Sequence, residues 1–329
     1  MSCSLTRGMR FGCSSLLAVA VAFSASCISA LAQPYPSQDI HYVVGYPPGS
    51  GADVLARFFA EKLRTLAGQT VVIDNKPGAQ NAIATQYVAR AKPDGYTLLG
   101  AGSGAASAMH LLVKPPVDVT TAFQVAATMG RQGFMVVVDA SKPIHTIADL
   151  TAAMKAKGSA GSYASAAPNG TVVGEFYKKS AGLKTVQVNY RTSNDSLNDL
   201  MSGAVDFAVL DPVVSLTQQR NGKLRILAIS TGERLQAMPE IPTLTEQGIP
   251  LDLTGWTAVT VPAATPRPIV DKLNGWFREI VSTPEARQFL NDAGSDPFMT
   301  SPDEAQALLV KTTKEWGELI KIANIKPQG

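Results

Sequence analysis

The chain has 329 residues, 29 of them basic and 26 acidic, and only 17% are charged. With 45% hydrophobic residues and no Lys/Arg-rich run interleaved with aromatics, it is neither a disordered chain nor a nucleic-acid binder. It reads as an α/β globule large enough for two ordinary domains.

Arg7 and Arg10 precede an uncharged run through Phe11, Leu16, Leu17, Val19, Val21 and Phe23, which closes on Ala30-Leu31-Ala32. A positive start, a short apolar middle and a small-x-small end predict a secretory signal cleaved after Ala32, and so a protein of the periplasm. Cleavage removes two of the 29 basic residues and no acid, leaving 27 against 26. It also removes Cys3, Cys13 and Cys27, the only cysteines, so the mature chain has no disulfide, thiol nucleophile or thiolate metal site. No later stretch approaches about 20 apolar residues, so no membrane helix is expected.

In the mature chain, short aliphatic runs alternate with helical periodicity. Ile40 to Tyr46 reads as a strand ending in Pro47-Pro48-Gly49-Ser50-Gly51. Val54, Leu55, Phe58, Phe59, Leu63 and Leu66 follow at helical spacing. Thr70 to Asp74 and Thr97 to Gly100 are the next strands, with a helix through Ile83, Tyr87 and Val88 between them. This rhythm predicts a parallel sheet with helices on both faces. After an irregular stretch from Lys114 to Thr121, Phe134 to Val138 is strongly β-prone. Thr146 and Asp149 have capping-box spacing at a helix start. Strands are predicted at Gly161–Ala164, Val186–Tyr190, Phe207–Leu210, Leu224–Ser230 and Thr257–Val261, and two helical tracts close the chain. The last tract opens Ser301-Pro302-Asp303-Glu304, with Ser at the cap and Pro in the first turn.

No linker separates the halves, so the chain is expected to cross twice between two doubly wound α/β domains, at Phe134–Val138 and Thr257–Val261. The first domain is predicted at 33–135 plus 258–329, and the second, inserted, at 136–257. Ligands of open α/β sheets sit outside the carboxyl ends of strands, so two facing sheets make a cleft.

The strand-end loops supply the candidate contacts. In Tyr46-Pro47-Pro48-Gly49-Ser50-Gly51-Ala52-Asp53, two glycines admit a ligand to backbone N–H groups at a helix start, which suits an anion. The loop lacks the Gly-Lys-Ser/Thr of a nucleotide-binding P-loop and the third glycine of a dinucleotide fingerprint. Asp53 reads as a helix-start acid. Ser103 and Gly104 follow the next strand. With a histidine base Ser103 would be a hydrolase nucleophile, but the mature chain offers only His41, His110 and His145. Asn169, Gly170 and Thr171 repeat the strand-end design, as helix caps or anion donors. Arg191, after Tyr190, carries a planar fork of donors suited to a carboxylate. Asp211, after Leu210, favours an amino or hydroxyl group, or caps a helix. Three scattered histidines without ligand spacing give no metal site and no cofactor is implied. Trp256 and Trp276 read as core or cleft-wall residues.

The chain also resembles the Bug-type solute-binding receptors of tripartite tricarboxylate transporters, over about Tyr35 to Lys326. The resemblance rests on Val43-Val44-Gly45-Tyr46-Pro47-Pro48-Gly49, Asp74-Asn75-Lys76-Pro77-Gly78-Ala79 and Lys92-Pro93-Asp94-Gly95-Tyr96-Thr97-Leu98-Leu99. Gly222-Lys223-Leu224-Arg225, Met238-Pro239-Glu240-Ile241-Pro242-Thr243 and Pro262-Ala263-Ala264-Thr265-Pro266 continue it in order. It implies a two-domain Venus-flytrap receptor of the type II periplasmic-binding class, monomeric and without catalytic activity. Such a receptor closes on a small di- or tricarboxylate or aromatic acid and delivers it to membrane transporter subunits. It points to the Tyr46–Asp53 loop, Ser103-Gly104, Asn169-Gly170-Thr171, Tyr190 and Asp211. Two departures stand out: Tyr190-Arg191-Thr192 where Tyr-Lys-Gly is usual, and Gln80-Asn81 in place of a Gly-rich pair, which adds Asn81 to the candidates. Rival expectations are a secreted serine hydrolase and a ligand-sensing partner of a signalling kinase.

Overall fold

The computed structural model describes residues 35–111 and 114–327. The signal segment, its cleavage point and its cysteines lie outside the described residues. Among the described residues, no helix is long and apolar enough to cross a membrane.

The first part of the chain runs β1 (Ile40–Val44), α1 (Gly51–Ala67), β2 (Val71–Asn75), α2 (Ala82–Ala89), β3 (Thr97–Gly102), α3 (Ser103–Leu111), a short α4 (Val119–Ala122) and β4 (Phe123–Gln132). The middle runs β5 (Met135–Asp139), α5 (Ile147–Lys157), β6 (Ser162–Ser165), α6 (Pro168–Ser180), β7 (Val186–Asn189), α7 (Ser193–Ser202), β8 (Phe207–Leu210), α8 (Pro212–Arg220) and β9 (Leu224–Ile229). The end runs β10 (Gly255–Pro262), α9 (Arg267–Ser282), α10 (Pro284–Asp292), β11 (Asp296–Pro297) and α11 (Pro302–Ile322).

These strands form two sheets, ordered β11-β4-β10-β3-β1-β2 and β7-β6-β8-β5-β9. Each carries one lobe. The chain changes sheet between Gln132 and Met135, and returns between Ile229 and Gly255. Pairing is parallel for β1 with β2 and β3, and for β6 with β7 and β8. It is antiparallel for β10 with β3 and β4, and for β5 with β8 and β9. The sheets are therefore mixed and not wholly parallel as expected. β5 and β10, the first strand entered after each change of sheet, run against the local direction, while β4 and β9, from which the chain leaves, run with it.

Local chemistry accounts for the element ends. Ser50 caps α1 by accepting from the Asp53 amide, and Gly68 ends it in the left-handed conformation. The expected capping boxes form at Thr146/Asp149 and at Ser301/Glu304. β5 is buried on both faces: Met135 and Val137 face one core cluster, Val136 and Val138 the other. That is why it reads as a continuous apolar run. β4 is a ten-residue strand absent from the sequence reading. Its Ala126 and Ala127 are weak strand formers, yet they let the apolar face of α9 approach closely. In α11, Ala305 and Leu309 join the first lobe's core, while Trp316 and Ile320 join the second's.

Candidate functional site

The carboxyl ends of β1, β3, β6, β7 and β8 all open on one cavity of about 130 Å³. Each of these strands leads into a helix, so five helix N-termini meet there: α1 and α3 from the first lobe, α6, α7 and α8 from the second. Their partial positive charges make the cavity anion-attracting without buried cations. Three of the five are served by their own side chains: α1 by Ser50, α7 by the Thr192/Asp195 box, and α8 by Asp211. The residue before α3 is Gly102, which has no side chain, and Ala167 before α6 makes no cap. Gly102 also permits a close approach, since a Cβ there would collide with the Trp256 carbonyl oxygen.

Most candidates line the cavity: Tyr46, Ser50, Gly51, Ala52, Asn81, Ser103, Gly104, Asn169, Arg191 and Asp211. Among the described residues, Arg191 is the lining's one lysine or arginine, and it is exposed. Pro48, Gly49, Gly170, Thr171 and Tyr190 stand outside the lining. Gly49 donates its N–H to Asp53 Oδ2 (2.8 Å), and Pro48 beside it is exposed. A Cβ on Gly170 would meet the Val209 carbonyl oxygen at 2.9 Å, so this glycine serves helix–strand packing. The Thr171 hydroxyl is 3.2 Å from Ser165 Oγ and accepts from Gln187 Nε2 (2.9 Å). The Tyr190 hydroxyl donates to Asp199 Oδ2 (2.6 Å).

The lobes touch across the cavity. Asn169 Nδ2 donates to Ser103 Oγ (3.2 Å) and Asn194 Nδ2 to the Gly49 carbonyl (3.4 Å). Ser103 Oγ also accepts from the Trp256 N–H (3.1 Å). Its hydroxyl is thus held by one group from each lobe. His110 bonds the Thr313 carbonyl, His41 pairs with Asp74 Oδ2, and His145 is exposed at the head of α5. Ser103→Ala would leave the Trp256 amide without its partner in a buried place. We expect a loss of about 1–2 kcal/mol in both unfolding free energy and ligand affinity. Calorimetric affinity equal to wild type would remove Ser103 from the closed-state contacts.

Tyr46 stands between the lobes. Burial pushes its phenol up, the hydrogen bond from Asn81 Nδ2 (2.8 Å) offsets part of the rise, and Asp211 adds to it. The hydroxyl keeps its proton and accepts from Asn81, so it retains a donor. Asp211 is raised by burial against the opposing hydrogen bonds of Ser193 Oγ (2.6 Å) and the Val214 amide (3.1 Å). Met129 and Gln132 also line the cavity and were missed with β4, and Phe134, at the head of the expected crossing strand, lines it too. Trp256 is buried there too, its indole donating to Thr312 Oγ1 (3.1 Å). Among the described residues no cluster of acids, histidines or cysteines could hold a metal.

Two lobes of mixed α/β structure enclosing a cavity at their strand ends define a solute-binding protein. The family model described as "Tripartite tricarboxylate transporter family receptor" matches residues 55–325. This chain belongs to that family. A UPF0065 protein from Bordetella bronchiseptica is 32% identical over 313 residues, covering 95% of this chain and 93% of its own. Protein BugT of Bordetella pertussis is 28% identical, covering 90% and 92%. An R. palustris protein solved with adipate superposes with a TM-score of 0.85 at 28% identity, over 89% of this chain and 100% of its own. Periplasmic binding protein BugD gives 0.83 at 27% identity, over 89% and 100%.

Proposed function

We propose that this chain is a periplasmic receptor that captures a small carboxylate and hands it to membrane transporter subunits, as a monomer, without catalysing any reaction on it. The observation that carries the reading is the meeting of five helix N-termini on one cavity, two from the first lobe and three from the second. A carboxylate between α3 and α6 accepts from both lobes at once. Such an anion binds the closed arrangement better than the open one, and that difference drives closure. Water exclusion then strengthens the hydrogen bonds. The structural relative solved with adipate supports a ligand of this chemistry. Export with cleavage after Ala32 fits a receptor working outside the cytoplasm.

The test is a thermal-shift screen of aliphatic and aromatic carboxylates, each beside its uncharged primary amide. We expect carboxylates to raise the melting temperature and their amides not to, because tight binding to the folded state stabilises it by mass action. Equal shifts from acids and amides would overturn the reading.

A further inference from the structure

Three buried side-chain polar atoms have no hydrogen-bond partner among the described residues: Asn81 Oδ1, Gln132 Oε1 and Thr185 Oγ1. Asn81 and Gln132 both line the cavity, and both come from the first lobe. Buried polar groups in folded proteins are nearly always paired, so two orphans in one binding cavity need an account. Asn81 holds the left-handed conformation (φ 71°), and its amide is wedged between Gly45 and the Tyr46 hydroxyl. Gln132 stands at the end of β4, where the chain leaves the first sheet for the second. Turning either amide end for end merely exchanges an unserved oxygen for an unserved nitrogen. In both orientations the protein leaves part of the amide to something else.

The electrical inventory narrows what that something is. Among the described lining residues Arg191 is the one cation, it is exposed, and it belongs to the second lobe. Among the same described residues Asp211 is the one carboxylate, and it too belongs to the second lobe. Among the described lining residues, the first lobe contributes no cationic side chain to pair with a second negative charge near Gln132. A hydroxyl is neutral and both donates and accepts, so it satisfies an amide presented in either orientation.

We propose that Gln132 determines specificity by reading an uncharged hydrogen-bonding substituent on the ligand, so that the preferred solutes are hydroxy or amide monocarboxylates rather than diacids. This rests on the carboxylate reading given under Proposed function. Asn81 stiffens the same wall by fixing Tyr46.

Titration calorimetry on matched skeletons tests it: hexanoate, 6-hydroxyhexanoate and adipate, then benzoate, 4-hydroxybenzoate and terephthalate. For wild type we expect the hydroxy acid to bind tenfold or more tighter than both the plain acid and the diacid in at least one series. In Gln132→Leu the hydroxy-to-plain ratio should fall to about one, which a merely structural role would not cause. Gln132→Glu should turn the preference toward 6-aminohexanoate, and it serves if the leucine variant fails to fold. A diacid preferred by wild type, or a ratio unchanged in the variants, overturns the proposal. Failure of every acid in both series to bind overturns the carboxylate reading, and this inference with it.

Discussion

Gly51→Ala is expected to bind ligand at least tenfold more weakly while unfolding no more easily than wild type. Gly51 opens α1, and the nearest atoms to a Cβ placed there all belong to the other lobe. That Cβ would overlap Asp211 Oδ1 and sit 3.3 Å from Val213 Cβ. Gly51 does not have positive φ, and alanine is the best helix former, so the first lobe accepts it unaided. The penalty falls only when the lobes meet. Overfilling a packed contact costs about 1–3 kcal/mol, and about 1.4 kcal/mol is tenfold in affinity. Gly51→Val should cost more, about a hundredfold. Calorimetry for affinity and urea unfolding for stability separate the two effects. Small-angle scattering should show the valine variant failing to contract with saturating ligand. Wild-type affinity in Gly51→Ala would mean that the α1 and α8 starts do not meet in the bound state.

What could be read from the sequence follows from how local each signal is. The strand-end loops were legible because Pro48-Gly49-Ser50-Gly51 and Ala166-Ala167-Pro168-Asn169 announce a turn and a helix start in adjacent residues. The side chains that enter the cavity were less so. Thr171 and Tyr190 sit in the right loops, but Gln187, Ser165 and Asp199 turn their hydroxyls elsewhere. Those partners are set by packing, which spacing does not encode. β4 was missed because Ala126, Ala127 and Gly130 lack a strand signature, and Gln132 was lost with it. Its position at the change of sheet becomes evident only once β4 is paired with β10.

Asp53 shows the same contrast at one residue, and its replacement by alanine should cause the largest loss of stability of any substitution considered. As a helix-start acid it was legible. Its wider role depends on Asn75, distant in sequence. Asp53 is 2% exposed, and it accepts from the Gly49 amide, Arg57 Nε and Asn75 Nδ2, each at 2.8 Å. Asn75 Nδ2 also donates to the Tyr46 carbonyl (3.0 Å), so one carboxylate braces both ends of the loop from Tyr46 to Gly49. Asp53→Ala leaves these donors unserved and should cost about 3 kcal/mol of unfolding free energy, with weaker ligand binding as the loop loosens. The pH dependence has a definite sign. Burial alone would raise the carboxyl, but the hydrogen bonds from Arg57, Asn75 and Gly49 outweigh it and hold the group below its ordinary value. A depressed folded value means that the contribution is complete above the unfolded value of about 3.9, and is lost as pH falls through the lower folded value. The stability gap between wild type and Asp53→Asn, measured by urea unfolding, should therefore be constant from pH 7 to about 5 and shrink below about pH 4. A gap that stays level into stronger acid would mean that the loop is braced by shape alone, with no part played by the charge on Asp53.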